Sequence, residues 1–184
     1  MPLFENGLPT LDAERLRQVV EDDLDGLLAV FGDADALRYW SHGPLADREA
    51  ARRYLGDIEA GRRDGSFYQW GIAEAASDRL VGTVTITAWD RENRRAEIGF
   101  ILHPSMQGRG LASEAVRTSL AFAFGPMDLH RVEADVDPDN EASLRLLERI
   151  GFKREGVLRE RWFTFGTWKD TVLLGLLAGD VRPG

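Results

Sequence analysis

Residues 97–113, EIGFILHPSMQGRGLAS, decide the fold of this chain. Residues 96–102 are mostly apolar and predict a strand, and residues 108–124, followed by Gly125-Pro126, predict a helix. Amides at a helix N-terminus have no intrahelical acceptor, and the helix dipole adds positive charge there. Gly108 and Gly110 carry no Cβ that would keep an anion away from those amides. The stretch therefore predicts a strand, an anion site of phosphate size and a helix in succession.

Other phosphate-binding loops differ from this glycine pattern. A Walker-type loop requires Gly-x4-Gly-Lys-Ser/Thr, which the chain lacks. A dinucleotide fingerprint requires Gly or Ala where Ser113 stands, and it normally opens a βαβ fold. A purely structural alternative stays open, in which the glycines only allow close packing of the helix on the sheet.

The chain before this stretch changes from helical to strand periodicity. Helices are predicted at 22–31 and 47–60, with Gly61 as the stop of the second. Aromatic and β-branched residues then predict strands at 67–74 and 80–89, with a turn at 76–78 between them. A polar connection at 90–94 leads to the strand at 96–102. Connections this short join antiparallel neighbours, so the three strands should form a meander.

The chain after the glycine loop alternates between strands and helices. A strand is predicted at 131–136, a helix at 141–150 that Gly151 stops, and two final strands at 153–158 and 168–177. The strand–helix–strand unit over 96–136 predicts a parallel pair with a right-handed crossover. The predicted fold class is therefore mixed α/β: an antiparallel meander followed by a β-α-β unit, with helices on both faces of one central sheet.

Composition limits the class of protein. The 184 residues suit one domain, 1–184, with no repeat or linker inside it. A net charge of −8 argues against a nucleic-acid partner. No apolar run approaches the roughly 20 residues of a membrane span, and no secretory signal opens the chain. The chain has no cysteine, and its three histidines are scattered, so no metal is expected. All of this is compatible with the cytoplasm.

The glycine stretch resembles the acyl-CoA signature of the GNAT superfamily of N-acetyltransferases. That signature is Gln/Arg-x-x-Gly-x-Gly/Ala, and Gln107, Gly110 and Ala112 stand at its positions. In the family, the signature follows the fourth strand and opens the third helix, which is the place that this stretch resembles. Residues 139–152 resemble the family's Asn-x-x-Ser helix with its Leu/Ile-Gly-Phe ending. The helix-rich N-terminal third and the strand at 168–170 resemble the branch of bacterial ribosomal-protein N-terminal (Rim-type) acetyltransferases. The resemblance covers about 8–177.

This resemblance implies acetyl-CoA as the acyl donor, no metal, and a monomer or a homodimer. The amides of residues 107–112 would hold the CoA pyrophosphate, and the backbone at 101–102 would pair with the pantetheine arm. The thioester would lie where the strands of Glu97 and Val132 separate. The implied cofactor-binding residues are Ile101, Leu102, Gln107, Gly108, Arg109, Gly110, Leu111, Ala112, Asn140 and Ser143.

Acyl transfer to an amine needs a base, a donor to the tetrahedral oxyanion and an acid for the leaving thiolate. Glu97 is the expected base, directly or through a water, because a carboxyl group in an apolar strand has a raised pKa. The alternative is an ion pair between Glu97 and an arginine such as Arg94 or Arg95. By the resemblance, the backbone amide of Leu102 is the oxyanion donor.

Ser143 is the expected acid for the thiolate, or else a hydrogen-bonding partner of the cofactor. Asn140 should cap the helix at 141–150, and Ser143 should lie on its inward, leucine-bearing face. Many family members use a tyrosine as the acid, and the sequence places none near this helix, so water remains an alternative proton source.

Aromatic residues are the expected walls of an acceptor site. Tyr39, Trp40 and His42 lie in the loop at 39–44, and Trp162, Phe163 and Trp168 lie near the C-terminus. Aromatic faces attract cations, and Trp40, His42 and Trp168 are the substrate-binding candidates among these residues. The resemblance favours an α-amino group of a peptide or small molecule as the acceptor. Its pKa of about 7.7–8.0 leaves more free base near neutral pH than a lysine pKa of about 10.4.

The sequence thus predicts an N-acetyltransferase in which a primary amine attacks acetyl-CoA directly in a ternary complex. The alternative is a catalytically silent acyl-CoA-binding sensor or scaffold, which would keep the glycine loop without needing Glu97. A nucleotide-binding regulator is a third, weaker hypothesis.

Overall fold

A computed structural model describes residues 16–40 and 43–180. Within these residues lie seven strands, four helices and short 3-10 turns at 21–23, 104–106 and 178–180. The strands are β1 (Leu16–Gln18), β2 (Tyr68–Ala73), β3 (Leu80–Asp90), β4 (Arg95–Leu102), β5 (Arg131–Val136), β6 (Lys153–Thr164) and β7 (Thr167–Leu177). The helices are α1 (Leu24–Phe31), α2 (Arg48–Asp64), α3 (Leu111–Phe124) and α4 (Glu141–Ile150).

All seven strands form one sheet in the order β1-β2-β3-β4-β5-β7-β6. Strands β1 to β4 are antiparallel neighbours, and β4 pairs in parallel with β5 across the α3 connection. Strand β7 pairs antiparallel with β5 on one side and with β6 on the other. The predicted mixed α/β fold, a meander followed by a β-α-β unit, is confirmed.

The helices cover both faces of the sheet, as predicted. Residues of α1 and α2 share one hydrophobic cluster with Leu80 and Ile101, whereas residues of α3 and α4 share the other with Val84 and Leu102. Ile101 and Leu102 are adjacent in β4 and belong to opposite clusters, because successive side chains of a strand point to opposite faces. The end of β4 is therefore held from both sides, which fixes the backbone beside the glycine loop.

The predicted end of the second helix is wrong. Helix α2 passes through Gly61 and ends at Asp64, and Gly65 follows with a left-handed φ of 75°. Gly61 is buried, and a Cβ at this position would collide with the ring of Phe67. The glycine at 61 therefore serves close packing, while the glycine at 65 supplies the conformation that ends the helix.

The C-terminal hairpin is longer than predicted. Strand β6 extends past Leu158 to Thr164, and it carries extra residues between the pairs Leu158–Thr171 and Trp162–Lys169. Glu160, with φ 52°, lies in this bulge. The bulge interrupts the alternation of side chains, and β6 is an exposed edge strand. The sequence periodicity therefore predicted that the strand ends at 158. Strand β1, only three residues long, was not predicted.

Candidate active site

The sheet opens between β4 and β5. The two strands pair only from Arg95 with Arg131 to Glu97 with Glu133, although β4 continues to Leu102. Beyond Glu97, the edge of β4 that faces β5 has no ladder partner among the described strands. The strands of Glu97 and Val132 thus separate in the region where the sequence analysis placed the reacting thioester.

A groove of about 1370 Å³ adjoins this opening. Gly108 and Gly110 lie on its wall with φ of 75° and 81°, and a Cβ at either position would meet none of the described atoms within 4 Å. Gly110 is the N-cap of α3, so the helix begins at Leu111 and not at Gly108. The residues of the predicted cofactor site that line the groove are Ile101, Leu102, Gln107, Gly108, Gly110, Leu111, Ala112, Asn140 and Ser143.

Two residues of the predicted cofactor site differ from expectation. The amide of Gln107 donates to the Pro104 carbonyl at 3.2 Å and closes the 3-10 turn before the loop, so it is already used. The Arg109 side chain is exposed and is not among the described residues that line the groove. The amides from Gly108 into the first turn of α3 have no acceptor within the helix, so they are the ones that an anion in the groove could reach.

Four arginines missed by the sequence analysis line the groove, one of them Arg38 in the segment before α2. Arg117 lies on α3, seven residues after Gly110 and thus on the same face of the helix, and Arg145 and Arg149 lie on α4. Arg145 also pairs with Glu141 at 2.5 Å. Guanidinium groups bind phosphate oxygens strongly, so these side chains suit a polyanionic ligand. The helical spacing from the glycine loop was a signal that could have identified Arg117.

The N-terminus of α4 also contributes to the groove. The Asn140 side chain accepts a hydrogen bond from the Ser143 amide at 3.1 Å, which confirms the predicted cap. Ser143 is half-buried and lines the groove, and Leu147, one turn later, is fully buried. Ser143 therefore lies on the inward face of α4, as the helical spacing predicted.

Substitution of Asn140 by alanine should destabilise the protein through loss of this cap. We expect a loss of about 1 kcal/mol in the free energy of unfolding. For a chain of this length, that corresponds to a fall in Tm of about 2–4 °C, measured by thermal unfolding without ligand. Asn140→Asp keeps an oxygen that accepts from the Ser143 amide and should melt near the wild type. Equal melting of the two variants would contradict the capping role.

A cavity of about 190 Å³ adjoins the groove on the side of Glu97. Beyond the residues shared with the groove, its wall carries Glu97, Asp135, Asp137, Lys169 and Asp170. The cavity and the groove share Arg38, Tyr39, Trp40, Phe100, Asn140 and Ser143. A donor molecule in the groove and an acceptor in the cavity would therefore meet next to Ser143 and Glu97.

The carboxyl group of Glu97 makes no hydrogen bond or ion pair with any residue in the described part of the chain. The arginines considered as its partners are used elsewhere: Arg94 pairs with Asp128 at 2.6 Å, and Arg95 pairs with Glu133 at 3.1 Å. The alternative, an ion pair between Glu97 and Arg94 or Arg95, is therefore not found among the described residues. Gly99, two residues further along the strand, leaves open space beside the carboxyl group.

The surroundings of Glu97 favour its protonated form more than water does. Burial raises the pKa of the Glu97 carboxyl, and the negative charges of Asp135 and Glu133 raise the pKa further. Arg161 acts in the opposite direction. A carboxylate with a raised pKa is a stronger base, which is the property that removal of a proton from an ammonium group requires.

The residues predicted to bind the acceptor lie in different parts of the structure. Trp40 is half-buried on the wall shared by the groove and the cavity, and it packs edge-on against Phe31 with ring centroids 5.9 Å apart. His42 lies outside the described residues. Three aromatic residues outside these substrate-binding candidates, Tyr39, Phe100 and Trp162, also line the cavity.

Trp168 is not among the residues that line the cavity, so its role in binding the acceptor stays a prediction. Its side chain is 61% exposed and packs on Phe163, its cross-strand partner, with centroids 5.0 Å apart. The next pair along the hairpin, Trp162 and Lys169, reaches the cavity instead. Successive residues of a strand point to opposite faces, and the sequence alone did not fix the register that decides between them.

The described residues contain neither a metal site nor a membrane span. No group of three or more His, Asp or Glu side chains is placed to hold a metal ion in this part of the chain. His103 and His130 lie in separate loops, and the His103 ring bonds to Ser105 at 2.8 Å. No helix within 16–40 and 43–180 is long and apolar enough to cross a bilayer.

Comparison with known proteins identifies the family. A family model described as "Acetyltransferase (GNAT) domain" matches residues 15–153. The chain is 34% identical over 165 residues to the N-acetyltransferase YoaA of Bacillus subtilis (strain 168), covering 89% of this chain and 93% of that one. It is 29% identical over 131 residues to the [ribosomal protein uS5]-alanine N-acetyltransferase of Escherichia coli (strain K12), covering 71% and 68%.

More distant matches agree with this assignment. The spermidine N(1)-acetyltransferase of Escherichia coli (strain K12) is 25% identical over 182 residues, covering 96% of this chain and 95% of that enzyme. The crystal structure of a GNAT-family acetyltransferase from Bacillus anthracis superposes with a TM-score of 0.80 at 26% identity, covering 91% of this chain and 98% of that one. The chain belongs to the GNAT family and is an acetyl-CoA-dependent N-acetyltransferase.

Proposed function

We propose that this enzyme acetylates an α-amino group, on a peptide N-terminus or a small molecule, by direct attack of the amine on acetyl-CoA in a ternary complex. One observation carries the proposal. Glu97, a partly buried carboxylate without an ion-pair partner among the described residues, lines the cavity that shares a wall with the groove. A binding module without activity would have no use for a base at this position.

In this proposal, the groove holds the donor. The amides from Gly108 to Ala112 bind the pyrophosphate, and the backbone of Ile101 and Leu102 pairs with the pantetheine arm along the open edge of β4. The open space at the two glycines and the unpaired edge of β4 support this placement. The arginines on α3 and α4 contribute positive charge for the remaining phosphate groups.

The proposed chemistry needs one proton acceptor, one oxyanion donor and one proton donor. Glu97 removes a proton from the ammonium group, directly or through a water, and the free amine attacks the thioester carbonyl. The backbone amide of Leu102 stabilises the oxyanion of the tetrahedral intermediate. The N–C bond forms, the C–S bond breaks, and the thiolate takes a proton from Ser143 or from water. The place of Ser143 on the shared wall supports its assignment.

The acceptor assignment rests on chemistry and on one relative. Near pH 7.5, a sizeable fraction of an α-amine with a pKa of about 7.7–8.0 is already free base, so a single carboxylate suffices for the rest. The described residues of the cavity include no histidine as a second base for a lysine side chain. The relative that acetylates the alanine of ribosomal protein uS5 acts on an α-amine, and that substrate also supports the cytoplasm as the proposed location.

A polyamine is the second candidate acceptor. The spermidine acetyltransferase among the relatives and the carboxylates on the cavity wall favour it. Spermidine carries more than one positive charge at neutral pH, whereas a peptide N-terminus carries one. The two candidates therefore differ in the number of charges that the cavity must accommodate.

The acceptor is tested by competition with acetyl-CoA as the donor. We expect a peptide with a free N-terminus to be acetylated faster than the same peptide N-blocked and carrying an internal lysine. CoA release and the mass of each product give the two rates. Faster acetylation of the blocked peptide would overturn the α-amine assignment. No acetylation of either peptide, together with CoA release when spermidine is added, would assign a polyamine as the acceptor.

A further inference from the structure

The acceptor cavity contains a second carboxylate that the chemistry above does not use. Asp135 lies on β5, two residues after Glu133, and therefore on the same face of that strand. Glu133 is the register partner of Glu97, and the two strands stop pairing at that point. Asp135 thus lies immediately beyond the separation of β4 and β5, and it lines the same cavity as Glu97.

Two neutral donors hold Asp135 in place. The Thr171 hydroxyl donates to Asp135 Oδ1, and the Trp162 Nε1–H donates to the same oxygen at 3.2 Å. Thr171 is fully buried, and its hydroxyl also contacts the Val136 carbonyl at 3.2 Å. The carboxylate is therefore oriented from one side by groups that do not cancel its charge.

Glu133, on the same strand, differs from Asp135 because it has ion-pair partners. Arg131 pairs with Glu133 at 2.7 Å and Arg95 pairs with it at 3.1 Å, so two guanidinium groups neutralise this carboxylate. No ion pair of Asp135 occurs among the described residues. Of the two acids on β5, Asp135 is the one whose negative charge is available to a ligand in the cavity.

We propose that Asp135 is a second acidic residue of the acceptor site and holds the incoming ammonium group beside Glu97. The proposal rests on the function proposed above and extends it to how the acceptor is recognised. The ammonium group donates to both carboxylates and then passes one proton to Glu97. Asp135 keeps its hydrogen bond from the resulting amine and orients the lone pair of that amine toward the thioester.

This arrangement makes the basicity of Glu97 depend on Asp135. Asp135 is the first of the neighbouring charges that raise the pKa of Glu97, after burial itself. The other charged or titratable groups around the site are Glu133 on β5, Arg161 on β6, Lys169 and Asp170 on β7, Asp137 after β5, and Arg38 and Tyr39 in the segment before α2. Removal of the charge at 135 should therefore lower the pKa of Glu97.

The decisive variant is Asp135→Asn. Asparagine keeps an oxygen that can accept from Thr171 and Trp162, so the fold should be retained, which Tm would verify. We expect KM for the α-amine peptide to rise about tenfold or more, because a charge-assisted hydrogen bond becomes a neutral one. We also expect the acid limb of the pH profile of kcat/KM to move to lower pH, since Glu97 then ionises at lower pH.

A direct titration of Glu97 makes the test independent of turnover. The pKa of its carboxyl, read by carbon-13 NMR and assigned by the signal missing in Glu97→Gln, should fall in Asp135→Asn. Asp137→Asn is the matched control: it removes the same charge from the same cavity wall and keeps an oxygen for the Asp139 amide. The pKa of Glu97 should stay unchanged in this control.

The outcomes separate this inference from the proposed function. An active wild type with unchanged KM, pH limb and Glu97 pKa in Asp135→Asn would overturn the role of Asp135 alone. Equal effects in Asp137→Asn would also overturn it, because they would reflect the general charge of the cavity. A wild type that releases no CoA with any amine would overturn the proposed function, and the NMR titration would still decide whether Asp135 acts on Glu97.

Discussion

Gly110→Val should abolish the rise in Tm that acetyl-CoA gives to the wild-type protein. A ligand present at 100 times its Kd stabilises the folded state by about 2.7 kcal/mol. For a chain of this length, that is a rise of about 5–10 °C. A branched side chain at Gly110 would project into the open space of the groove at the first amides of α3, where the pyrophosphate is proposed to bind.

This substitution also strains the backbone, and the experiment must separate this strain from the loss of acetyl-CoA binding. Gly110 has φ 81°, and a residue with a Cβ in this conformation costs on the order of 1–2 kcal/mol. Gly166 in the β6–β7 turn has φ 77° and equally open space, so Gly166→Val reproduces the strain away from the groove. We expect both variants to melt lower than wild type without ligand. Only Gly166→Val should keep the acetyl-CoA shift, and a full shift in folded Gly110→Val would refute the donor site.

Glu97→Gln should lower turnover by about 10²-fold near neutral pH while leaving the affinity for acetyl-CoA close to that of wild type. Glutamine has nearly the same shape and cannot accept the proton. The defect should persist at every pH below the pKa of the acceptor amine, where the amine needs a base. It should shrink above that pKa, where the amine is already free.

The pH profile is the measurement that identifies the base. Wild type should lose kcat/KM on the acid side as Glu97 protonates, whereas the acid limb of Glu97→Gln should lie at higher pH, at the pKa of the acceptor amine, because only the free amine then reacts. Glu97→Asp keeps a carboxylate on a shorter side chain, so it should retain the limb with reduced turnover. A profile of Glu97→Gln that runs parallel to that of wild type would exclude Glu97 as the base, whatever the size of the loss.

Local patterns in the sequence predicted most of the fold, because short connections and glycine positions restrict how strands can pair. The meander, the α3 crossover and the Asn140 cap each follow from residues close together in the chain. The end of α2 could not be predicted in this way, because the sequence does not distinguish Gly61 from Gly65 as the residue that stops the helix. Only the contact of Gly61 with Phe67, a tertiary contact, shows which glycine stops the helix.

The residues of the candidate site differ in the same way, because some follow from local sequence and others depend on tertiary structure. Glu97 and the glycine loop lie within one short stretch, so the sequence could bring them together. The contributions of Asp135, Trp162 and Tyr39 depend on where β5, the β6–β7 hairpin and the segment before α2 lie in space. Trp168 was chosen in place of Trp162 because the bulge in β6 and the register of the hairpin, which decide the orientation of both side chains, leave no periodic signal.

The bulged hairpin has a consequence for how acceptor preference can diverge among relatives. Trp162 and Lys169 reach the cavity from strands whose tips lie outside both hydrophobic clusters. Substitutions at exposed positions usually change stability by less than about 0.5 kcal/mol. Evolution can therefore reshape this wall, residue by residue, while the carboxylate on β4 and the glycine loop stay fixed in the rigid body of the sheet. The hairpin tip therefore affects the acceptor wall more than the fold, and it is the natural segment to exchange when a new amine acceptor is to be engineered.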